Sequence, residues 1–226
     1  MSTSKRYLHL GCGTVILPEP FENMDIRNIP GVQHEGDIYP LDQFEDDTFD
    51  MVYVAHVLEH FKRSDIQSIL TEWVRVLKPG GLLRVSVPSL ERLIEIYQSC
   101  GDISSVIGPF MGGQTYEQNF HYMLFDEASL TRFMENAGLA AIHPWDFRRT
   151  EHSDHWDFSQ AETKGIPISL NLEGRKVYPV DQKQQLMKSL QDNIELLGRI
   201  NSNDWSQTST EVITILSKMA SEVSDV

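Results

Sequence analysis

Two patterns of hydrophobic and polar positions alternate along the first 178 residues of the chain. Short, mainly apolar runs predict buried strands near residues 6–10, 22–26, 32–36, 49–55, 81–87, 139–145 and 168–174. Apolar residues that recur three and four positions apart predict amphipathic helices, most clearly over residues 64–78 and 126–137. Strands that alternate with helices indicate an α/β fold with a mostly parallel seven-stranded sheet and helices on both faces.

Two stretches show neither pattern. Only eleven residues separate Gly13 from Asp25, and Pro18 and Pro20 lie among them. Because proline breaks helix interiors and a crossover between parallel strands needs about a dozen residues, we expect an extended loop or a single turn there. Residues 148–167 are rich in charged residues, His and Trp, which predicts a loop that covers a site.

The pattern becomes helical again in the last part of the chain. Two segments beyond Pro179 carry apolar residues at helical spacing on one face. The sequence therefore predicts one domain over residues 1–178 and a C-terminal helical extension over residues 179–226. The apolar faces of this extension could pair two copies of the chain as a homodimer.

Two glycines follow the first predicted strand, in the segment Tyr7-Leu8-His9-Leu10-Gly11-Cys12-Gly13-Thr14. Glycine adopts positive φ angles and has no Cβ, so the chain can turn sharply and approach a ligand closely. In an open α/β sheet this turn faces the crevice at the carboxyl ends of the strands, where nucleotide cofactors bind. Gly-x-Gly pairs are also common in ordinary turns, so the meaning of this one depends on the segments that follow.

Further motifs follow the glycine turn in a fixed order over residues 7–88. They are Met24-Asp25-Ile26, Gly36-Asp37-Ile38, the buried run Phe49–Ala55 and the segment Val76-Leu77-Lys78-Pro79-Gly80-Gly81. Together with the glycine turn they resemble class I methyltransferases dependent on S-adenosylmethionine, of the compact bacterial type that acts on small molecules or glycans. The resemblance implies a Rossmann-like sheet, S-adenosyl-L-methionine as the cofactor and methyl transfer as the reaction.

The resemblance also implies which residues bind the cofactor. Asp25 is expected to accept hydrogen bonds from the ribose diol, and Asp37 to lie near the adenine beside the apolar Ile38. The implied set is Leu10, Gly11, Cys12, Gly13, Asp25, Ile26, Asp37, Ile38, Ala55 and His56. Each aspartate could instead be a solvated strand end. His9 departs from the family, because an acid that faces the methionine ammonium usually stands at this position.

Three histidines are the candidate catalytic residues. His56 and His60 follow the fourth predicted strand, at the carboxyl edge of the sheet, and the resemblance alone places His121 with them. A neutral histidine can take the proton of an acceptor hydroxyl near pH 7 while the hydroxyl oxygen attacks the sulfonium methyl group. The alternative is that these histidines form hydrogen bonds that only support the fold.

A metal site is a further alternative for the same segment. His56, Glu59 and His60 would share one face of a helix, and His121 could add a fourth ligand. Side chains that are compatible with a metal are much more common than metal sites, so we assign no metal ligand from the sequence.

Composition limits the partners and the location. The chain has 19 Lys and Arg against 33 Asp and Glu residues, a formal net charge of −14. Nucleic acid is not an expected partner, because its binding depends on phosphate neutralisation by basic residues. Two cysteines indicate no disulfide framework, the first residues do not resemble a signal peptide, and no apolar run reaches the ~18–20 residues of a membrane span. We therefore expect a cytoplasmic protein without membrane contact.

The sequence predicts an enzyme that moves the methyl group of S-adenosylmethionine to a small acceptor, a hydroxyl of a sugar or of another polar metabolite. Arg148, Arg149, Arg175 and Lys176 could bind an anionic group of that acceptor, or could be ordinary surface charges. A catalytically inactive partner or regulatory subunit with the same fold is the alternative, suggested by His9 and the C-terminal helices. A nicotinamide-dependent dehydrogenase fits less well, because the third glycine of Gly-x-Gly-x-x-Gly is missing.

Overall fold

The computed structural model describes residues 4–179 of the chain as alternating strands and helices. Within these residues the strands are β1 Tyr7–Leu10, β2 Phe21–Asp25, β3 His34–Glu35, β4 Phe49–Ala55, β5 Leu77–Pro88, β6 Leu139–Pro144, β7 Glu162–Thr163, β8 Ile166–Pro167 and β9 Ser169–Lys176. The α-helices are α1 Ile66–Arg75, α2 Leu90–Cys100, α3 Ile107–Met111 and α4 Glu127–Asn136.

Seven of the strands form one sheet in the order β3-β2-β1-β4-β5-β9-β6, and β7 and β8 form a separate hairpin. The first five strands of this order, from β3 through β2, β1 and β4 to β5, are parallel to their neighbours. Strand β9 is antiparallel to both β5 and β6. The predicted mostly parallel seven-stranded sheet is thereby confirmed. This sheet differs from the order 3-2-1-4-5-6 of dinucleotide-binding domains by one antiparallel strand, β9, inserted between β5 and β6.

Two strands differ in length from their predictions. β3 has only two residues, although the apolar pattern predicted about five. β5 begins at Leu77, because the segment Lys78-Pro79-Gly80-Gly81 stays extended beside β4. The register between these strands shifts between Phe49 and Met51, so the Pro-Gly-Gly sequence is accommodated as an irregularity of the strand and is not a turn before it.

The sheet is buried on both faces. On one face, α1 covers the main core with its fully buried Trp73, whose indole Nε1 donates to the carbonyl of Ile38 over 2.9 Å. The other face holds a smaller aromatic cluster that includes Phe21, Tyr53 and Trp145. Continuous apolar strands such as β1 and β4 need cover on both faces, and these two clusters provide it.

Local signals explain where helices begin and where one is missing. Asp126, at the start of the helix predicted over residues 126–137, caps α4 by accepting from the Ser129 backbone N–H over 2.7 Å. The start of α2 was not predicted, although the Ser89 side chain caps it by accepting from the backbone N–H of Arg92. Residues 11–20 form turns and contain no helix, which confirms the expected short connection between β1 and β2.

Residues Met1–Lys176 constitute one unit of the chain and carry the whole sheet. The predicted C-terminal helices, with their proposed homodimer contact, lie outside the described residues. Among residues 4–179, no helix has the length and apolar character needed to cross a membrane.

The segment between β6 and β9 is a loop with short structured parts. It contains the 3₁₀ turns Phe147–Arg149 and Phe158–Gln160 and the β7–β8 hairpin. Arg84 of β5 holds this loop to the sheet through a 2.9 Å ion pair with Glu151. The predicted irregular segment therefore has a defined position against the sheet.

Candidate active site

A cavity of about 540 Å³ opens beside the carboxyl ends of β1 and β4. The turn after β1, the segment after β4 and two later loops form its walls. The residues that line it include His9, Gly11, Cys12, Gly13, Arg27, Ala55, His56, Glu59, His60, Tyr116, His121, Asp157 and Phe158. The volume lies in the range of pockets that hold cofactors and small substrates.

The glycine turn forms the first wall. Gly11 and Gly13 have φ angles of +62° and +56°, a backbone conformation that other residues rarely adopt. A Cβ on Gly11 would lie 2.6 Å from Val57 Cγ2, so a side chain does not fit there. Leu10 is fully buried in the core and Cys12 is nearly so, and the turn therefore presents mainly its backbone to the cavity.

Asp25, at the end of β2, lies behind this turn and does not itself line the cavity. Its Oδ2 accepts from the Gly13 N–H over 2.8 Å, and its Oδ1 accepts from the backbone N–H and the Nε of Arg27 over 3.0 and 2.9 Å. Arg27 Nη2 adds a 3.3 Å contact to Oδ2. Burial raises the pKa of Asp25, but the hydrogen bonds from Arg27 and Gly13 outweigh it and leave the pKa below its usual value.

Other residues predicted for cofactor binding lie in different places. Ala55 and His56 line the cavity, whereas Asp37 is exposed and Ile38 is buried in the main core, and neither of the latter lines the cavity. Ile26 is about half exposed beside Asp25. None of the four cations proposed for an anionic acceptor lines the cavity either.

His9 is buried and uncharged. Its Nδ1 lies 3.1 Å from the side-chain oxygen of Asn23, and burial lowers the pKa of His9 to about 4. A neutral imidazole cannot replace the acid that the family usually carries at this position. The wall near His9 nevertheless contains a carboxylate, because Asp157 of the loop after β6 lines the same cavity.

Asp157 is the functional candidate that sequence reasoning did not identify. Its side chain is 3% exposed, its Oδ2 accepts from the Tyr53 hydroxyl over 2.5 Å and its Oδ1 accepts from the Ser159 N–H over 2.8 Å. The Tyr53 ring lies 5.2 Å from that of His9. The sequence signal was only an Asp-x-Ser turn within a polar loop, and the contact with β4 spans more than a hundred positions.

A second wall of the cavity holds His56, Glu59, His60 and His121, which we call the His–Glu cluster. His56 has a φ angle of +54° and Leu58–His60 form a 3₁₀ turn, so the helical face considered from the sequence does not form. The residues converge nonetheless. His56 Nδ1 and His121 Nε2 lie 3.3 and 3.9 Å from Glu59 Oε1, and the rings of His60 and His121 are 4.7 Å apart.

Burial determines the charges of the cluster. It raises the pKa of Glu59 to about 8, and neither carboxylate oxygen of this fully buried side chain has a hydrogen-bond partner. Burial lowers the pKa of His56 to about 3 and that of His60 to about 4, and it also lowers the pKa of His121. The three imidazoles are therefore neutral near pH 7.

Comparison with known proteins identifies the domain that carries this cavity. Residues 7–85 match a family model described as a methyltransferase domain. Residues 7–85 therefore belong to a methyltransferase domain. Its cofactor is S-adenosylmethionine. The matched residues include the glycine turn, Asp25 and the first three members of the His–Glu cluster.

Solved structures share the fold of this methyltransferase domain. An S-adenosylmethionine-dependent methyltransferase from Archaeoglobus fulgidus is 16% identical, with a TM-score of 0.51 over 76% of this chain and 86% of its own. One from Methanosarcina mazei is 16% identical, with a TM-score of 0.51 over 79% and 95%. A third from Thermotoga maritima, described as a possible histamine N-methyltransferase, is 19% identical, with a TM-score of 0.50 over 77% and 83%. No curated protein is significantly similar to the chain.

Proposed function

We propose that the methyltransferase domain moves the methyl group of S-adenosylmethionine to a hydroxyl group of a small polar acceptor. The observation that carries this proposal is the cavity itself, which has a glycine turn on one wall and three neutral imidazoles on the other. A cofactor bound along the first wall would direct its sulfonium methyl group towards the second. An acceptor hydroxyl between them could give up its proton as the oxygen attacks the methyl group.

Two carboxylates, Asp157 on the cavity wall and Asp25 behind it, fit two polar parts of the cofactor, the methionine ammonium and the ribose. Asp25 stands beside Gly13, where a ribose diol could be bound, and Asp157 supplies a buried carboxylate for the methionine ammonium in place of the missing acid at position 9. All four acceptor positions of the Asp25 carboxylate are occupied. A ribose can therefore bind to Asp25 only if the half-exposed Arg27 side chain moves away.

In the proposed reaction the acceptor oxygen bonds to the methyl carbon while the carbon–sulfur bond breaks and S-adenosylhomocysteine leaves. The hydroxyl proton passes to an imidazole, and His56 is the first candidate. Its Nε2 lies 2.7 Å from the Ser169 hydroxyl, which fixes the ring and leaves Nδ1, 3.3 Å from Glu59 Oε1, as the ring nitrogen that can accept a proton. The rings of Tyr116 and Phe158 add apolar surface to the cavity, which suits the body of a compact acceptor.

The test uses S-adenosylmethionine with an isotopically labelled methyl group and a panel of sugars, polyols and hydroxy acids. We expect the labelled methyl group to be transferred to members of one acceptor class. Mass spectrometry and NMR should show that it forms an O-methyl ether. Labelling only of amines that are added to the same panel, or labelling only on carbon, would contradict the hydroxyl acceptor. Cofactor binding without transfer to any acceptor of the panel would favour the inactive partner subunit.

A further inference from the structure

The free electron pairs of the His–Glu cluster point at one another, and only a proton on Glu59 or a bound cation can lie between them. His121 Nδ1 lies 2.8 Å from the carbonyl of Pro109. A carbonyl only accepts, so Nδ1 carries the ring hydrogen and Nε2 has the free electron pair. That Nε2 is the atom 3.9 Å from Glu59 Oε1, which is itself an acceptor.

The same reasoning fixes the hydrogen of His56. The Ser169 hydroxyl donates its hydrogen to the carbonyl of Phe158 over 2.8 Å, so its oxygen accepts from His56 Nε2–H over 2.7 Å. The free electron pair of His56 is then on Nδ1, 3.3 Å from Glu59 Oε1. Two acceptors at this distance repel each other unless a proton or a cation is shared between them.

His60 completes the arrangement. Its Nδ1 donates to the carbonyl of Phe120 over 3.1 Å, which leaves Nε2 as its free electron pair. Imidazoles that bind metal ions are oriented in this way, with one ring N–H held by a carbonyl or carboxylate and the other nitrogen free for the ion. An ion bound there would replace the proton of Glu59 and compensate the charge of a buried carboxylate that has no hydrogen-bond partner.

We propose that Glu59, His60 and His121 bind a divalent transition-metal ion. These residues can each offer one ligand atom within 4.8 Å of the others, and all three line the cavity. One carboxylate and two imidazoles favour zinc, cobalt or manganese over magnesium or calcium, which prefer oxygen ligands. Because these three side chains line the cavity, an ion bound to them could also bind the acceptor oxygen there, and His56 would stay available as the proton acceptor.

Isothermal titration of the full-length, untagged, chelator-treated protein tests this proposal, with Zn²⁺, Mn²⁺ and Mg²⁺ each added alone. No cofactor or acceptor is present, so the result does not depend on the proposed methyl transfer. We expect one Zn²⁺ or Mn²⁺ per chain and much weaker binding of Mg²⁺. Glu59→Gln and His121→Ala should each weaken metal binding by about 100-fold, because the loss of a direct ligand should cost at least as much as the loss of an outer-shell partner. The exposed His143 provides the matched control, and His143→Ala should bind as the wild type does.

Absence of binding to the wild type at millimolar metal overturns the proposal, and so does binding that both cluster variants retain. Substitutions in a buried cluster can unfold the chain, which circular dichroism would reveal. The visible absorption spectrum of the wild type with Co²⁺ then decides. Intense ligand-field bands of a low-coordinate site support the proposal, whereas the weak spectrum of hydrated Co²⁺ overturns it.

Discussion

The two walls of the cavity differ in how their polar groups are satisfied. Directly behind the glycine turn, both oxygens of Asp25 are fully hydrogen-bonded and its charge is paired with Arg27, which lines the cavity. On the His–Glu side, both oxygens of Glu59 are buried without a partner, and two imidazole nitrogens face one of them. One wall is complete without a ligand and the other is not.

This difference shows what each wall requires of its ligand. Binding at Asp25 must displace an existing ion pair, so part of the cofactor's interaction energy is used to move Arg27. Binding at Glu59 displaces no protein contact of the carboxylate and supplies a missing donor or positive charge. We therefore expect substitutions on the His–Glu side to affect the reaction most, and those around Asp25 to affect affinity modestly.

The largest expected effect is on the methyl-transfer rate. His56→Asn keeps a residue that tolerates the positive φ angle but cannot take the proton, and the rate at saturating cofactor should fall by about 10²- to 10⁴-fold. The affinity for S-adenosylhomocysteine, measured by calorimetry, should stay near that of the wild type. Partial recovery of the rate by added imidazole would confirm the role, and an unchanged rate would show that the proton goes elsewhere.

The next effect concerns the buried carboxylate of the loop. Asp157→Asn removes the charge proposed to bind the methionine ammonium, and the dissociation constant for S-adenosylhomocysteine should rise by about 10- to 100-fold, or about 1.5–3 kcal/mol. Asp154→Asn is the control, because this aspartate is an exposed residue of the same loop. Equal affinity for both variants would contradict the assignment of Asp157.

A smaller effect concerns the pH dependence of stability. His152 is 1% exposed, both of its ring nitrogens lack partners, and burial lowers its pKa to about 4. His152 binds a proton near pH 6.5 in the unfolded chain but only near pH 4 in the folded chain. Its contribution to the free energy of unfolding is therefore fully present above pH 6.5 and is lost as the pH falls towards 4.

Replacing His152 removes this proton linkage. Between pH 7 and pH 5, wild type should lose about 2 kcal/mol more unfolding free energy than His152→Phe, measured by urea denaturation. His143→Ala, at an exposed position, should behave as the wild type. Parallel losses in wild type and His152→Phe would show that this histidine does not control acid stability.

The smallest effects are expected around Asp25. Asp25→Ala should weaken S-adenosylhomocysteine binding by about tenfold, the scale of a charged hydrogen bond. Arg27→Ala should leave the affinity unchanged or raise it a few-fold, because the ribose no longer competes with the guanidinium. Calorimetry on both variants tests this contrast, and an equal loss in both would mean that the ion pair is part of the binding site.

Much of the fold could be predicted from local sequence signals. The apolar runs indicated the strands, the stripe through Trp73 indicated the face of α1, and Asp126 indicated the start of α4. Pro18 and Pro20 correctly excluded a helix after the glycine turn. These features depend on residues close together in the chain, which is why a single sequence reveals them.

The candidate site was only partly predictable, because contacts between distant segments create it. The sequence named His56, His60 and His121 but gave no reason to expect Glu59 buried without a partner, which depends on the packing of several loops. Asp157 could not be found for the same reason. Helical spacing was a wrong guide to the geometry of the cluster, since His56 is left-handed and the following turn is 3₁₀.

A crystal structure with S-adenosylhomocysteine tests the central claim most directly. The account predicts the ligand in the cavity, with its amino-acid end near Asp157, its ribose near Asp25 and its sulfur between the glycine turn and the His–Glu cluster. The space beyond the sulfur would then lead to His56. A ligand bound with its sulfur turned away from the cluster, or bound outside the cavity, would contradict the account.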